Sequence, residues 1–414
     1  MASRHLNDPV GEPRGAGRFP ALRHPNFRRY AIGQAISLVG FWMQGVAQGW
    51  YVYRVSQSEF ALGAVAFAGY LPILLFAPVA GGLADRVDKH RLIIVTQSLA
   101  MVLACAVGTL VWSGHATVPL VAVAAMLLGT VGAFDLPARQ SFLVELVGTK
   151  DLPGAIAFNA SVFNTARVVG PALAGVLVGA VGEAPCFFLN GLSYVAALWA
   201  LLGMRFTGRV TVYPSRETRR SVRSGLAYVR GQPAQRALLI ALGLVSAFSL
   251  QANVLMPSLA QRVFERGARG YGLLLTAFGV GAVLSALGLA TGRVGRSRRR
   301  TLTLGLVGFG LGLLGVASSP RFDVACACQL VAGLGMIRFT ATTNVWIQSL
   351  VDDAYRGRVM GLHTLMFAGV APIGSLVLGS IAERMGPQPA LVLSGTVPLL
   401  VCAWLMGRLR AAEG

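Results

Sequence analysis

Long uncharged segments alternate with short charged clusters along the chain, and this alternation predicts its secondary structure. Each segment has about 20 residues or more, enough for a helix to cross roughly 30 Å of hydrocarbon. The segments without Asp, Glu, Lys or Arg are 30–53, 60–83, 92–114, 116–134, 184–204, 237–261, 270–292, 301–320, 359–382 and 385–407. Two more, 152–182 and 324–350, hold one arginine each. The pattern therefore predicts twelve membrane-spanning helices.

Composition supports a helical membrane protein. Within lipid, backbone polar groups must bond inside the protein, so that helices and closed β-barrels are the available spanning structures. Barrel strands would appear as short segments of alternating hydrophobicity, and the sequence has none. Of the 414 residues, 55% are hydrophobic and 13% are charged, and the mean hydropathy is +0.64. The predicted fold class is all-α.

Lysine and arginine are distributed unevenly over the connections between the predicted helices. When the chain is threaded through a bilayer from a cytoplasmic N-terminus, most of the 36 Lys and Arg residues fall on the cytoplasmic side. The opposite side receives Arg54, Arg262, Arg266, Arg269, Arg321 and Arg384. The positive-inside rule then predicts a multi-pass protein of the bacterial inner membrane with both termini in the cytoplasm.

The net charge of +20 would indicate nucleic-acid binding in a soluble domain. Here the basic residues flank membrane spans, where anionic lipid head groups and topology account for them. Membrane lipids are therefore expected as partners and nucleic acid is not. The polar tail 1–29 lacks the apolar region of a cleaved signal peptide. A basic linker, 206–235, is predicted to carry a surface amphipathic helix at Ser221–Arg230.

The second half of the chain repeats the first. Shifting the sequence by 204 residues aligns Gly170 with Gly374, Gly175 with Gly379, and Phe163 with Phe367. A period of half the chain is typical of transporters built from a duplicated six-helix unit. We expect two pseudo-symmetric six-helix bundles, 30–205 and 236–408, followed by a cytoplasmic tail, 409–414.

The sequence lacks the motifs of enzymes and of metal sites. Five cysteines lie in or at the ends of apolar spans, without CxxC or Cys/His spacing, and are predicted to pack as small hydrophobic residues. No P-loop, nucleophile elbow or HExxH segment is present. We therefore expect no enzymatic activity, no cofactor, no metal and no ATP-driven transport.

The segment GGLADRVDKHR, residues 81–91, lies between the second and third spans. It resembles the signature of the major facilitator superfamily, G-x-L-A-D-R-x-G-R-K, except that Asp88 replaces the second glycine. The candidate residues of a conformational switch in this loop are Gly81, Asp85, Arg86, Lys89 and Arg91. The resemblance implies that Asp85 contacts the eleventh span near residues 356–359 when the protein opens outward. A loop that only sets topology is the alternative.

A second resemblance lies in the fifth span, where VVGPALAG is similar to the antiporter signature of the same superfamily. The matching residues of this helix-packing motif are Gly170, Pro171 and Gly175. Together with FDLPARQSFLVELV, the segment is most similar to the bacterial exporter group that includes the enterobactin exporter. The resemblance implies twelve helices in two bundles, alternating access and export.

Polar residues recur on one face of two predicted helices. The first span carries Gln34, Gln44 and Gln48 at helical spacing, and the seventh carries Ser249 and Asn253. A polar stripe in a membrane helix faces either an aqueous cavity or a partner helix. These residues are candidates for lining a substrate cavity, and hydrogen bonds between helices are the alternative.

Charged residues at membrane depth are costly and often functional. Arg167, which shares a helix face with Asn159, and Arg338 are candidates for binding an anionic group of the substrate. A buried partner or a snorkelling side chain would be the structural explanation. Asp135 is the candidate proton-coupling residue, and a structural ion pair with Arg139, one turn further on, is the alternative.

These features predict a secondary transporter that exports a small amphipathic organic molecule, such as a drug, siderophore or metabolite, by proton antiport. We expect it to act as a monomer. An uncoupled facilitator or an importer is the alternative within transport. A membrane receptor or scaffold is the alternative of another class, although a large soluble sensing domain would then be expected.

Overall fold

The structure, a computed structural model, describes residues 20–84, 86–204, 221–290 and 297–413. These residues form helices and turns and contain no strand. The first half of the chain begins with a 3-10 turn, Pro20–Arg23, and continues with α1 (Pro25–Ser56), α2 (Glu59–Ala84), α3 (Lys89–Trp112), α4 (Val118–Val181) and α5 (Ala184–Leu202). The predicted all-α fold is confirmed.

A short connecting helix, α6 (Ser221–Arg230), leads to the second half. There α7 (Pro233–Phe248) is followed by a 3-10 turn, α8 (Met256–Ser258) and a π-helical turn, Leu259–Val263. The remaining helices are α9 (Gly267–Ala290), α10 (Arg298–Ser318), α11 (Phe322–Leu350), α12 (Arg356–Thr364), α13 (Ala371–Met385) and α14 (Pro387–Glu413).

Ten of these stretches are long and apolar enough to cross a membrane. One of them, α4, has 64 residues and is divided at Gly148, whose φ of 69° favours glycine, so it supplies two crossings. A further crossing is α1, with 32 residues, whose glutamines lower its hydropathy. The described helices therefore account for the twelve predicted spans.

Two spans are composite. The seventh consists of α7, a 3-10 turn at Leu250–Leu255, α8 and a π-helical turn at Leu259–Val263. The eleventh consists of α12, a π-helical turn at Leu365–Gly369, and α13. Pro257 lies at the start of α8 and Pro372 at the start of α13. Because proline has no backbone N–H, it interrupts the helical hydrogen bonds at these points, where kinks are expected.

The first and last described residues lie at the same end of the helix bundle, here called the basic end. It also carries α6, which spans the same residues as the surface helix predicted in the basic linker. The Tyr228 ring of α6 stacks on Tyr355 with 4.3 Å between centroids, and its hydroxyl donates to Asp352 at 3.1 Å. The opposite end, the far end, carries the connection between α1 and α2.

The two halves meet closely at two glycine crossings. A Cβ on Gly272 of α9 would lie 2.7 Å from the Gly175 Cα of α4. A Cβ on Gly379 of α13 would lie 2.9 Å from the Gly63 Cα of α2. Gly175 and Gly379 are the residues that the internal repeat aligns. Each half therefore contributes one repeat-related glycine to the junction, where small residues allow close backbone approach.

Within the second half, α9 and α11 cross at glycines that tolerate no side chain. A Cβ on Gly333 would overlap the carbonyl oxygen of Phe278. We expect Gly333→Leu to destabilise the fold by about 3 kcal/mol or more, since an overpacked backbone crossing cannot relax. Thermal unfolding in detergent measures this loss. Gly132→Leu, at a helical glycine with open space around its Cα, is the control, and equal midpoints for both variants would contradict the prediction.

Candidate functional site

An arginine–aromatic cluster lies at the junction of the halves and consists of Trp42, Tyr70, Phe163 and Arg167. The guanidinium carbon of Arg167 lies 5.3 Å from the Trp42 ring centroid and 5.4 Å from the Phe163 ring centroid. Tyr70 interacts electrostatically with Arg167. The Arg167 backbone faces α9, because a Cβ on Gly279 would lie 3.0 Å from its carbonyl oxygen. The cluster therefore joins α1, α2 and α4 beside the second half.

Two N–H donors of this cluster are unused. The Nη1 atom of Arg167 and the Nε1 atom of Trp42 are both buried without a hydrogen-bond partner. Within the described part of the chain, no carboxylate lies within salt-bridge distance of Arg167. Buried polar groups are normally bonded, so these donors mark the cluster as a candidate binding site.

Sequence reasoning singled out Arg167 and noted Phe163 in the internal repeat, but it did not single out Trp42 or Tyr70. Trp42 is adjacent to the polar stripe of the first span, and its ring meets Phe163 at 5.6 Å between centroids. Phe163 and Phe367, which the repeat aligns, are both partly exposed. The alignment of two phenylalanines was the available signal for an aromatic lining on both sides of the junction.

Asp135 lies in a polar network inside the first half. Its carboxylate accepts from Thr96 Oγ1 at 2.6 Å and from Gln97 Nε2 at 3.3 Å, and it pairs with Arg139. Arg139 also donates to Gln34 of α1. The ion pair between Asp135 and Arg139, which the spacing of the two residues suggested, is therefore present. The network connects α1, α3 and α4.

The polar stripe of α1 faces its own half rather than the junction. Gln34 accepts from Arg139, and Gln44 accepts from Asn190 Nδ2 of α5 at 2.6 Å. Both glutamines are buried. Their bonds are hydrogen bonds between helices, which was the alternative to lining a cavity. Gln48 is half-buried. The junction is instead lined by the next face of α1, where Gly49 lies beside the Tyr271 hydroxyl of α9.

The second-half candidates also lie mainly within their own bundle. Ser249 is buried and donates to the Ser394 carbonyl of α14 at 2.7 Å, a contact between helices of the second half. Asn253 is half-buried. The Arg338 Nε atom is buried without a partner, and its Cβ packs on Gly305 of α10. Arg338 therefore points toward α10 and lies apart from the arginine–aromatic cluster.

Asn159 is half-buried, two turns of α4 before Arg167. Its repeat counterpart, His363, is buried and stacks on Phe367 with 6.4 Å between ring centroids. The His363 Nε2 atom has no hydrogen-bond partner. The two halves therefore place different polar groups at equivalent positions beside the junction.

The loop between α2 and α3 is attached to the first half. Lys89 is buried and forms an ion pair of 2.7 Å with Glu145 of α4. Asp88 caps α3 by accepting from the Arg91 backbone N–H at 3.1 Å. Arg86 is exposed, and Gly81 has open space around its Cα. Asp85, the central residue of the predicted switch, lies outside the described residues.

The helix-packing motif of the fifth span makes two kinds of contact. A Cβ on Gly170 would lie 2.5 Å from the Trp42 Cβ, so this glycine brings α4 against α1. The Pro171 carbonyl and Gly175 lie against Gly272 of α9. One motif therefore positions Trp42 beside Arg167 and also forms a crossing between the halves.

The far end carries a latch between the halves, formed by Glu59, Ser258, Arg262 and Glu383. Glu59 of α2 is 1% exposed and accepts from Ser258 Oγ at 2.5 Å and from Arg262 Nη1 at 2.8 Å. Glu383 of α13 accepts from the Phe60 backbone N–H at 3.0 Å, at the first turn of α2. These bonds were not anticipated from the sequence, because their partners are far apart along the chain.

Comparison with known proteins identifies the family. Residues 16–414 match the family described as transmembrane secretion effector. The chain belongs to this family of major facilitator transporters. It is 29% identical to the staphyloferrin A transporter of Staphylococcus aureus over 84% of this chain and 87% of that protein. It is 26% identical to the multidrug efflux pump Tap of Mycolicibacterium fortuitum over 92% and 94% of the two chains.

Solved structures agree on the fold. The crystal structure of the nucleoside transporter NupG is similar to this chain with a TM-score of 0.73 and 14% identity, over 93% of this chain and 99% of that one. The family match over residues 16–414 confirms the predicted membership of the major facilitator superfamily. The chain is a multi-pass membrane transporter and not an enzyme.

Proposed function

We propose that this secretion-effector transporter exports a small amphipathic organic molecule across the bacterial plasma membrane by alternating access, driven by protons that move inward. The multidrug efflux pump and the siderophore transporter among its relatives support export. The charge distribution supports a cytoplasmic location for the basic end. The latch and the glycine crossings then lie on the outer side and hold it closed, as an inward-open state requires.

The arginine–aromatic cluster is the observation that carries the proposal. Repeat-built transporters bind substrate near the midplane, between their two halves. Arg167 and Trp42 provide unused donors at this junction, and Phe163 and Tyr70 provide aromatic surface. An apolar site with few polar groups suits an amphipathic organic molecule.

Opening outward requires that the far-end contacts separate and that the basic end closes. The loop of Gly81, Asp85, Arg86, Lys89 and Arg91 is the proposed closing element at the cytoplasmic side. Lys89 already holds the loop to the first half through Glu145, so that the loop would move with that half as a unit.

Asp135 is the proposed proton-coupling residue. Its partner Arg139 also bonds Gln34 of α1, and α1 contacts the second half where Gly49 meets Tyr271. Protonating Asp135 would remove the charge that holds Arg139 and would therefore alter the α1 contact. This chain of contacts links proton binding to the movement of the halves.

The proposal is tested with everted membrane vesicles that hold a proton gradient. A panel of lipophilic drugs, dyes and siderophores is added, and discharge of the gradient by a substrate is the expected result. Asp135→Asn should reduce this discharge to background, because the amide cannot exchange the proton. Asp323→Asn, at an exposed surface ion pair with Arg321, is the matched control.

The outcomes separate the parts of the proposal. Parental discharge by Asp135→Asn would remove this residue from coupling while leaving antiport intact. Entry of the substrate only up to the outside concentration, without any discharge, would support an uncoupled facilitator. Accumulation only in right-side-out vesicles would support an importer and would contradict export.

A further inference from the structure

We infer that the transported molecule is an organic anion, with a carboxylate bound by Arg167 Nη1 and Trp42 Nε1 and an aromatic or planar body beside Phe163. The inference rests on the proposed function and gives its site a substrate class. Its basis is the charge balance, the ring geometry and the two unused donors of the cluster.

Arg167 differs in charge balance from other buried cations of the first half. Arg139 is paired with Asp135, and Lys89 is paired with Glu145 at 2.7 Å. Within the described residues, Arg167 has no such carboxylate. A buried charge is costly unless it is paired and hydrogen-bonded. The missing countercharge is therefore expected to come from the ligand.

The aromatic rings explain how the cation is tolerated between transport events. The Trp42 and Phe163 rings lie 5.3 and 5.4 Å from the Arg167 guanidinium carbon, within the range of cation–π attraction. This attraction offsets part of the burial cost and uses the faces of the rings. The N–H groups at the guanidinium edge stay available for hydrogen bonds.

The unused donors match the chemistry of a carboxylate. Arg167 Nη1 and Trp42 Nε1 are buried in the same cluster without partners. A carboxylate has two acceptor oxygens and forms charge-assisted bonds with a guanidinium. A cationic ligand would place like charges together in a medium of low dielectric constant. A neutral ligand would leave Arg167 without a countercharge.

Three naphthalene probes with one aromatic body test this inference: 2-naphthoate, neutral 2-naphthamide and cationic 2-naphthylmethylammonium. Binding to the purified protein in nanodiscs is measured by equilibrium dialysis. The parent should bind the naphthoate about tenfold more tightly than the amide, since a charge-assisted bond to a buried guanidinium contributes roughly 1.4 kcal/mol or more. The cation should bind most weakly.

Variants assign the preference to the two donors. Arg167→Gln should abolish the preference for the anion, and thermal unfolding of the purified variant checks that it is folded. Trp42→Phe keeps a ring and loses one donor, so we expect about threefold weaker naphthoate binding. Arg321→Gln, at a surface arginine that is 73% exposed, should behave as the parent.

Equal binding of the three probes, binding of none, or a preference for the cation would overturn the inference. So would an anion preference that survives in Arg167→Gln. The dialysis measurement does not depend on transport. Selective anion binding without movement in vesicles would contradict the proposed export alone, whereas Arg167-independent export of neutral or cationic molecules would contradict the anion site alone.

Discussion

Replacing Gly379 by leucine is expected to hold the two halves apart at the far end and to reduce transport to background. A Cβ at this position would lie 2.7 Å from the Glu59 carbonyl oxygen and 2.9 Å from the Gly63 Cα. Both neighbours are backbone atoms and cannot rotate away, so that α13 and α2 must separate. The proposed cycle requires this end to close, and the variant should stay open outward.

Accessibility of a cysteine at the closed junction measures the effect. Tyr271→Cys, at a buried site beside Gly49, is introduced into a background without the native cysteines. A membrane-impermeant maleimide added from outside should label this cysteine faster when Gly379→Leu is present. Gly407→Leu, at a glycine with open space around its Cα, is the control for the substitution itself. Parental labelling together with parental transport would contradict the prediction.

The internal repeat extends the prediction to the first half. Gly175 aligns with Gly379, and a Cβ at Gly175 would lie 3.0 Å from the Gly272 Cα. Sequence alone predicted this equivalence, because a duplicated unit preserves the positions where its helices approach closely. It did not predict that both glycines lie at the junction, since a small residue can equally permit contacts within one half.

The number and order of the spans followed from the sequence because the length of an apolar segment is a local property. The rotation of each helix about its own axis could not be predicted from the sequence in this way. Gln34 and Gln44 share a face of α1, as their spacing predicts, but a polar face can meet either a cavity or another polar helix. Asn190 and Arg139 supply such partners within the first half, and their positions follow only from the packing.

The ion pairs also divide into those that the local sequence predicts and those that only the packing of the helices brings together. The bond between Asp135 and Arg139 could be anticipated, because the two residues are one turn apart on the same helix. The bond between Glu59 and Arg262 could not, because these residues are 203 positions apart. A glutamate in the first turn of a helix is also explained locally by the helix dipole, so that the sequence gives no reason to seek a distant partner.

Neutralising Glu59 should release the far-end latch and shift the protein toward the outward-open state. Glu59→Gln keeps an acceptor for Ser258 but leaves Arg262 without its countercharge. Removing one partner of a fully buried pair costs about 3–5 kcal/mol. The Arg262 side chain is 52% exposed, so that solvent reduces the expected loss to about 1–2 kcal/mol. The ratio of outward-open to inward-open molecules should then rise about tenfold.

Distances between spin labels on Ser113 and Ser318, both at the far end, measure this shift by pulsed electron resonance. Arg262→Gln should increase the long-distance population further, because it leaves the buried Glu59 carboxylate without its countercharge. The shift in the double variant should be smaller than the sum of the two single shifts, because both substitutions remove the same ion pair. Asp323→Asn, at an exposed carboxylate of the same end, is the control. A parental distance distribution in Glu59→Gln would mean that the glycine crossings, without the ion pair, hold the outer side closed.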